Sequence, residues 1–282
     1  MSKLAHVVNN YKPPIVLPEG IKEDAFRVPY DLNCSIAVPP ILENERVAIV
    51  PFVPSIHGEA FFKEFNKASI ELSRYLPLII GNTLDDFVRF VEIRMRRWEN
   101  AVLFAIIDKT KAPISKDDIY NRITPSGRIA GIIGWINIVP MNYCLEIGPV
   151  IILPEFQGTF VTANAIGLIL KHLFEWPNRG GLGFRRVSWA ADPRNGKSVS
   201  VAEKLGFKQE GTLRWVWVMP PERVGKPVSS ERKALEAEWG RPRTDGRDSV
   251  ILSISWDDWT AGGKEIVDAR MNIVRNNIQS PA

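Results

Sequence analysis

Cysteine and histidine are scarce in this chain. Two cysteines, Cys34 and Cys144, and three histidines, His6, His57 and His172, are spread over 282 residues. The cysteines lie far apart, so no disulfide framework is available, and none of these residues shows metal-ligand spacing. No metal is expected, and a reducing intracellular compartment fits the cysteine usage. Long apolar runs are also missing. The longest, Ile129 to Pro140, is too short to span a bilayer, and Met1 to His6 lacks the apolar stretch of a secretion signal. The net charge is only +4, too mild to imply a nucleic-acid partner, which asks for a clustered basic face. Internal repeats and low-complexity segments are absent. The expectation is a soluble, cytoplasmic protein with no nucleic-acid and no membrane partner.

What the chain does contain suits a globular core: 45% hydrophobic and 10% aromatic residues, with nine tryptophans. Residues 1–44 are punctuated by prolines at 13, 14, 18, 29, 39 and 40, and they predict an extended N-terminal arm. Residues 45–282 then read as one domain. Arg46 to Pro51 is a strand. Ser55 to Ala68 is a helix, with Ser55 as its N-cap and His57 in the first turn. Ser69 to Tyr75 is a short helix stopped by Pro77. Thr83-Leu84-Asp85-Asp86 starts another with a capping-box pattern. Its apolar stripe is Phe87, Phe90, Val91, Met95 and Trp98. Arg89, Arg94, Arg96 and Arg97 lie off that stripe, as a solvated face or a patch that steers an anionic substrate.

Ala101 to Asp108 and Arg128 to Val139 are paired strands across a polar connection, 109–127. Leu145 to Leu153 is a β-rich run broken by Pro154-Glu155. Gln157-Gly158-Thr159 opens a helical segment to about Glu175. Phe184 to Ala191 is a strand, and Ser198 to Leu205 a short helix closed by Gly206. Leu213 to Met219 is a strand holding Trp215 and Trp217, which serve core packing or stack on an acceptor. Residues 220–246 form a polar insertion with a helix near Ser229 to Trp239. Val250 to Trp256 is the last strand, and 264–276 are helical. Arg179-Gly180-Gly181-Leu182-Gly183 is glycine-rich, but it precedes a strand instead of opening a helix, so the dinucleotide fingerprint fails.

The turn at Gln157 is where a strand ends and a helix begins. The first N–H groups of that helix have no internal partner, the dipole there is positive, and phosphate is the natural guest. An ordinary strand–helix connection would read the same. The wider stretch decides between them. L-E-I-G-P-V (145–150), P-E-F-Q-G-T-x-V-T-A-N-A (154–165), F-R-R-V-S-W (184–189) and N-x-x-S-x-x-V-A-E-K-L-G-F-K-x-E-G-T-L-R (195–214) occur in order. R-Y-L-P (74–77), R-V-A-I-V-P-F (46–52) and G-R-D-S (246–249) accompany them. Together they resemble the GNAT superfamily of acyl-CoA N-acyltransferases, most closely its RimJ/RimL-like branch, over roughly 45–260.

The resemblance implies an α/β (α+β) fold with a mixed, mostly antiparallel twisted sheet flanked by helices. It implies acetyl-CoA as acyl-donor cosubstrate. The acceptor would be a primary amine of a small molecule or a peptide N-terminus, in a monomer or homodimer. The first helices would wall the acceptor groove near Tyr75 and Leu76. Cofactor contacts would come from Val150, Ile151 and Ile152 on the strand, from Gln157, Gly158, Thr159, Phe160, Val161 and Thr162 in the loop, and from Asn195 and Ser198. The Val150 N–H would meet the thioester oxygen. Glu146 would be the base, as a carboxylate in an otherwise apolar strand; it reads equally as a partner that orders the strand. Ser198 would serve the leaving thiolate, because Ala202 occupies the place of the family's usual tyrosine. Asn195 also suits the cap of the helix that follows. Phe160 and Thr162 stand where the family's loop has small residues. The alternative is a non-catalytic acyl-CoA-binding or interaction module.

Overall fold

The computed structural model describes residues 24–113, 125–241 and 244–273. Residues 1–23 of the expected arm, most of the 109–127 connection and residues 274–276 of the expected last helix lie outside them. Eight strands follow along the chain: β1 (Leu42–Glu43), β2 (Val47–Pro51), β3 (Val102–Asp108), β4 (Arg128–Val139), β5 (Cys144–Ile152), β6 (Arg186–Ala191), β7 (Lys208–Val218) and β8 (Gly246–Ser255). They form one sheet in the order β1-β2-β3-β4-β5-β6-β8-β7. All neighbours run antiparallel except β5 and β6, which run parallel. Every residue of β3, Val-Leu-Phe-Ala-Ile-Ile-Asp, is buried, as a central strand covered on both faces requires.

The α-helices of five or more residues are α1 (Pro54–Asn66), α2 (Ser69–Ser73), α3 (Leu84–Val91), α4 (Val161–Phe174), α5 (Gly196–Lys204), α6 (Ser230–Glu238) and α7 (Lys264–Met271). Phe61 of α1, Phe87 of α3 and Phe52 after β2 meet as rings, with centroids 5.2 Å (Phe61–Phe87) and 5.8 Å (Phe52–Phe87) apart. Trp135 of β4 is fully buried against Phe104 at 4.7 Å.

Helix α1 begins earlier than the sequence reading places it. Val53 is the N-cap and Pro54 the first helical residue, where its fixed φ and missing N–H cost nothing. Ser55 is therefore not the cap. Instead the buried His57 reaches back, and its Nδ1 accepts the Val53 N–H at 3.0 Å. Burial holds the imidazole at about 4, far below its ordinary range. The capping box of α3 is present as read: Thr83 Oγ1 accepts the Asp86 N–H at 3.1 Å, and Asp86 Oδ2 accepts the Thr83 N–H at 3.2 Å.

The arginines after α3 are only partly a solvated face. Arg96 pairs with the buried Glu92, which also accepts the Tyr30 hydroxyl at 2.8 Å. Arg96 and Arg97 both reach Asp24, at 3.2 and 3.6 Å. Asn33 donates to Arg96 O at 2.9 Å and Ser35 N–H to Glu99 O at 2.7 Å. The described part of the arm is thus bound along this segment. Strand β7 is exposed along its whole length, as an edge strand is. Trp215 and Trp217 consequently stand 50% and 44% exposed, outside the core. Lys226 Nζ lies 4.6 Å over the Trp215 ring.

Gly134 of β4 faces the Gly148 carbonyl: a Cβ there would lie 2.4 Å from that oxygen. Backbone cannot yield that distance cheaply, so Gly134→Ala is expected to cost roughly 1–3 kcal/mol in chemical denaturation. Gly211→Ala meets nothing within 4 Å and serves as the comparison, with an expected change within about 0.5 kcal/mol.

Candidate functional site

β5 and β6 are paired at three positions: Cys144 with Arg186, Leu145 with Val187, and Glu146 with Ser188. Past Glu146 each strand keeps its other neighbour. β5 stays on β4 as far as Ile152 opposite Gly131, and β6 stays on β8 as far as Ala191 opposite Val250. The two strands therefore part after Glu146, and Pro149, three residues on, has no N–H with which to resume the ladder.

Two cavities occupy the gap. One, of about 580 Å³, is bordered by Val150, Ile151, Ile152, Gln157, Gly158 and Arg194, among others. The second, of about 430 Å³, is bordered by Met95, Trp98, Asn137, Glu146, Trp217 and Arg247, among others. Tyr75, Leu76, Val150, Trp189, Asn195 and Ser198 border both. They mark the junction where a ligand in one cavity would meet a ligand in the other. Leu153 donates its N–H to Ala130 O of the β4 chain at 2.9 Å. Since successive N–H groups of a strand alternate in direction, Ile151 also faces β4. Val150 and Ile152 turn theirs to the open edge.

The loop after β5 is tied to the strand by the Gln157 side chain, which donates to Ile152 O at 3.0 Å. Gly158 has φ +72, a left-handed conformation that glycine adopts without strain. Thr159 Oγ1 donates to Phe156 O at 2.7 Å and accepts the Val161 N–H at 3.2 Å. The N-cap of α4 is Phe160, whose side chain caps nothing. Its ring lies under the Arg46 guanidinium at 4.8 Å. It borders a smaller adjoining cavity of about 160 Å³, together with Thr162, Lys204 and Arg270. The bulk at position 160 is thus directed to one side, while Gly158 and Thr162 border the main cavity.

Glu146 accepts a hydrogen bond from Asn137 Nδ2 at 3.1 Å. Burial pushes its carboxyl above the usual range, and the Asn137 hydrogen bond and the Arg247 charge offset part of that rise. Asn137 has φ +51 beside an irregularity in the β4–β5 register. Asparagine tolerates this conformation better than most residues. Ser198, in the first turn of α5, has its N–H accepted by Asn195 Oδ1 at 3.2 Å, so Asn195 caps the helix. The Ser198 Oγ accepts the Trp189 indole N–H at 3.0 Å. Indole nitrogen only donates, so the serine proton is left to point elsewhere. Asp192 is buried. Burial raises its pKa, but the hydrogen bonds and charge of Arg194 outweigh this and hold the carboxyl low.

Trp189 and Asn137 are contributors that sequence reasoning missed. Trp189 stands inside a quoted motif, yet its role needs the fold. Asn137 is the one polar side chain in the Ile129–Pro140 run, and that isolation was a usable signal. Among the described residues, no group of three or more His, Cys, Asp and Glu side chains is gathered as metal ligands, and no helix is long and apolar enough to cross a membrane.

Residues 46–208 match the family model of the acetyltransferase (GNAT) domain. Among solved structures, a GCN5-related N-acetyltransferase from Brucella melitensis is 23% identical, with a TM-score of 0.61 over 83% of this chain and 86% of that one. An acetyltransferase of the GNAT family from Chromobacterium violaceum is 24% identical, with a TM-score of 0.58 over 80% and 91%. A Salmonella typhimurium acetyltransferase that modifies the N-terminal serine of a 50S ribosomal subunit protein is 16% identical, with a TM-score of 0.54 over 76% and 98%. At these identities the likeness is one of fold. A comparison with curated proteins found no match.

The Glu146 environment gives a direct expectation. In a carboxyl-carbon NMR titration, Glu146 should titrate above the ordinary glutamate range. Asn137→Ala removes a hydrogen bond that favours the charged form, so the midpoint should move further up. A downward move would contradict the assignment.

Proposed function

This chain belongs to the GNAT acetyltransferase family, and we propose that it transfers an acetyl group from acetyl-CoA to a primary amine, directly, within a ternary complex. The acceptor is a small-molecule amine or a peptide N-terminus. The observation that carries this reading is the parting of β5 and β6 after Glu146 and Ser188, with two cavities meeting at Val150, Trp189 and Ser198. One cavity takes the pantetheine arm of the donor and the other takes the amine. The thioester supplies an acyl group already activated toward nucleophiles.

The open-edge N–H groups of Val150 and Ile152 suit a carbonyl and a pantetheine amide. The Gln157–Thr162 loop and the start of α4 offer backbone donors to the pyrophosphate. Beyond them, Lys204 and Arg270 border the small adjoining cavity and suit a further phosphate. The resemblance set Phe160 against tight cradling. Its ring is directed toward Arg46, and the donors are backbone groups, which supports acyl-CoA binding.

An amine in water is protonated, with a pKa of about 10 on the lysine scale. Glu146, directly or through a water, accepts that proton. The nitrogen then attacks the thioester carbon while the Val150 N–H stabilises the oxyanion. Collapse breaks the C–S bond, and the proton shed by the attacking nitrogen passes through the Ser198 hydroxyl, oriented by Trp189, to the leaving sulfur, giving the amide and CoA thiol.

Two measurements test this. In a thiol-release assay with acetyl-CoA and a panel of amines, Glu146→Gln should lower kcat by about 10²-fold. Ser198→Ala should lower it by a smaller factor. Unchanged turnover in both variants would sink the mechanism. In the same assay, the double substitution Lys204→Glu with Arg270→Glu should raise the KM for acetyl-CoA about tenfold while sparing kcat, since it removes binding common to ground and transition states. A loss confined to kcat would argue against a phosphate role for these cations.

A further inference from the structure

The cavity of Glu146 holds a charge that the mechanism above does not use. Arg247 lies on β8 opposite Trp217 of β7. Its side chain borders the cavity yet is only 6% exposed. Its ion-pair contact among the described residues is a loose one, with Nε 3.9 Å from Asp192 Oδ2. Asp192 is already engaged by Arg194, at 2.9 Å from Nε to Oδ1 and 2.6 Å from Nη2 to Oδ2, and Oδ1 also accepts the Arg194 backbone N–H at 2.9 Å. Arg247 Nε is buried and makes no hydrogen bond. Ser249, two residues along and so on the same face of the strand, likewise holds a buried hydroxyl with no hydrogen-bond partner. Asp248 between them is satisfied, accepting from the Trp215 N–H and from Lys226 Nζ, each at 2.8 Å. A guanidinium withdrawn from water is expensive unless oxygens meet its donors, and nearly all buried polar groups in folded proteins are met.

We infer that Arg247 receives a carboxylate of the acceptor, so that the acceptor is a free amino acid with a large apolar side chain. This rests on the acetyltransferase reading only in taking the cavity as the amine's side. The charge pattern is that of a zwitterion turned inside out: Glu146 for the ammonium, Arg247 for the carboxylate. Because Arg247 is buried, its guest must enter the cavity together with the amine, which a peptide's distant C-terminus does not do. Met95, Trp98, Ile136 and Trp217 supply apolar wall for the remainder of the molecule.

The test compares matched ligands on the full-length protein, in the presence of acetyl-CoA for turnover and of CoA for calorimetric binding. L-Phenylalanine, L-tryptophan, L-leucine and L-methionine are paired with phenethylamine, tryptamine, isoamylamine and 3-(methylthio)propylamine, which lack only the carboxylate. C-terminally amidated peptides with the same first residues form a third arm. At least one amino acid should bind tenfold or more tightly than its decarboxylated partner and its peptide. Arg247→Gln should collapse that ratio toward one, and Arg247→Lys should retain part of it. Binding without acetylation would leave the carboxylate site standing and overturn the acetyltransferase reading. Equal affinity within every pair, or better binding of the peptides, would overturn the Arg247 inference, and the unsubstituted protein alone decides this.

Discussion

A parallel ladder only three residues long holds the two halves of this sheet together at its centre. β5 is committed to β4 and β6 to β8, and between them the pairs end at Glu146 and Ser188. Backbone N–H groups on an open strand edge are costly when buried and unmet, so the parting creates a demand as well as a space. Val150 and Ile152 present that demand on one wall. The first turn of α4, whose N-cap Phe160 caps nothing and where Thr159 meets only the Val161 N–H, presents it at the end. The first turn of α5, with Ser198 held by Trp189, closes the other side. Each of these depends on where the central pairing stops.

The electrostatics of the cleft follow from the same geometry. Two carboxylates border one cavity and are driven apart in acidity by their neighbours. Asp192 is held ionised by Arg194, while burial raises Glu146 against the opposing influence of Asn137 and Arg247. Pairs of titratable groups pushed in opposite directions separate a fixed charge from a proton carrier. Asp192 fits the first role and Glu146 the second. Arg247 borders the same cavity as a cation whose buried Nε–H is unmet.

Much of this is legible in the sequence alone. The apolar runs gave β2 to β6, and the Thr83 capping box was read correctly, because its signal is local and both partners lie within four residues. The start of α1 was misread because a buried histidine, not a serine, meets the N-cap donor, and nothing local announces that. β7 and β8 run longer than the reading gave them. Lys208 to Thr212 and Gly246 to Ser249 are polar or small, and their pairing is imposed by a partner strand. In the candidate site, Glu146, Ser198 and the Gln157 loop came from the family resemblance that the motifs carry. Trp189, Asn137 and Arg247 act between separate elements, through contacts that no spacing encodes. Phe160 looked like an obstacle in one dimension. In three, its ring lies under Arg46 and the loop backbone is left bordering the main cavity.

The central claim is that the parted strands and the Gln157 loop form one acyl-CoA site. Calorimetric titration of acetyl-CoA into the purified protein tests it most directly, with desulfo-CoA and pantetheine as companions. The account predicts one site per chain, micromolar affinity for acetyl-CoA and desulfo-CoA, and much weaker binding of pantetheine, which lacks the phosphates that the loop and the α4 N-terminus would hold. Absence of heat at millimolar acetyl-CoA, or equal affinity for pantetheine, would contradict it.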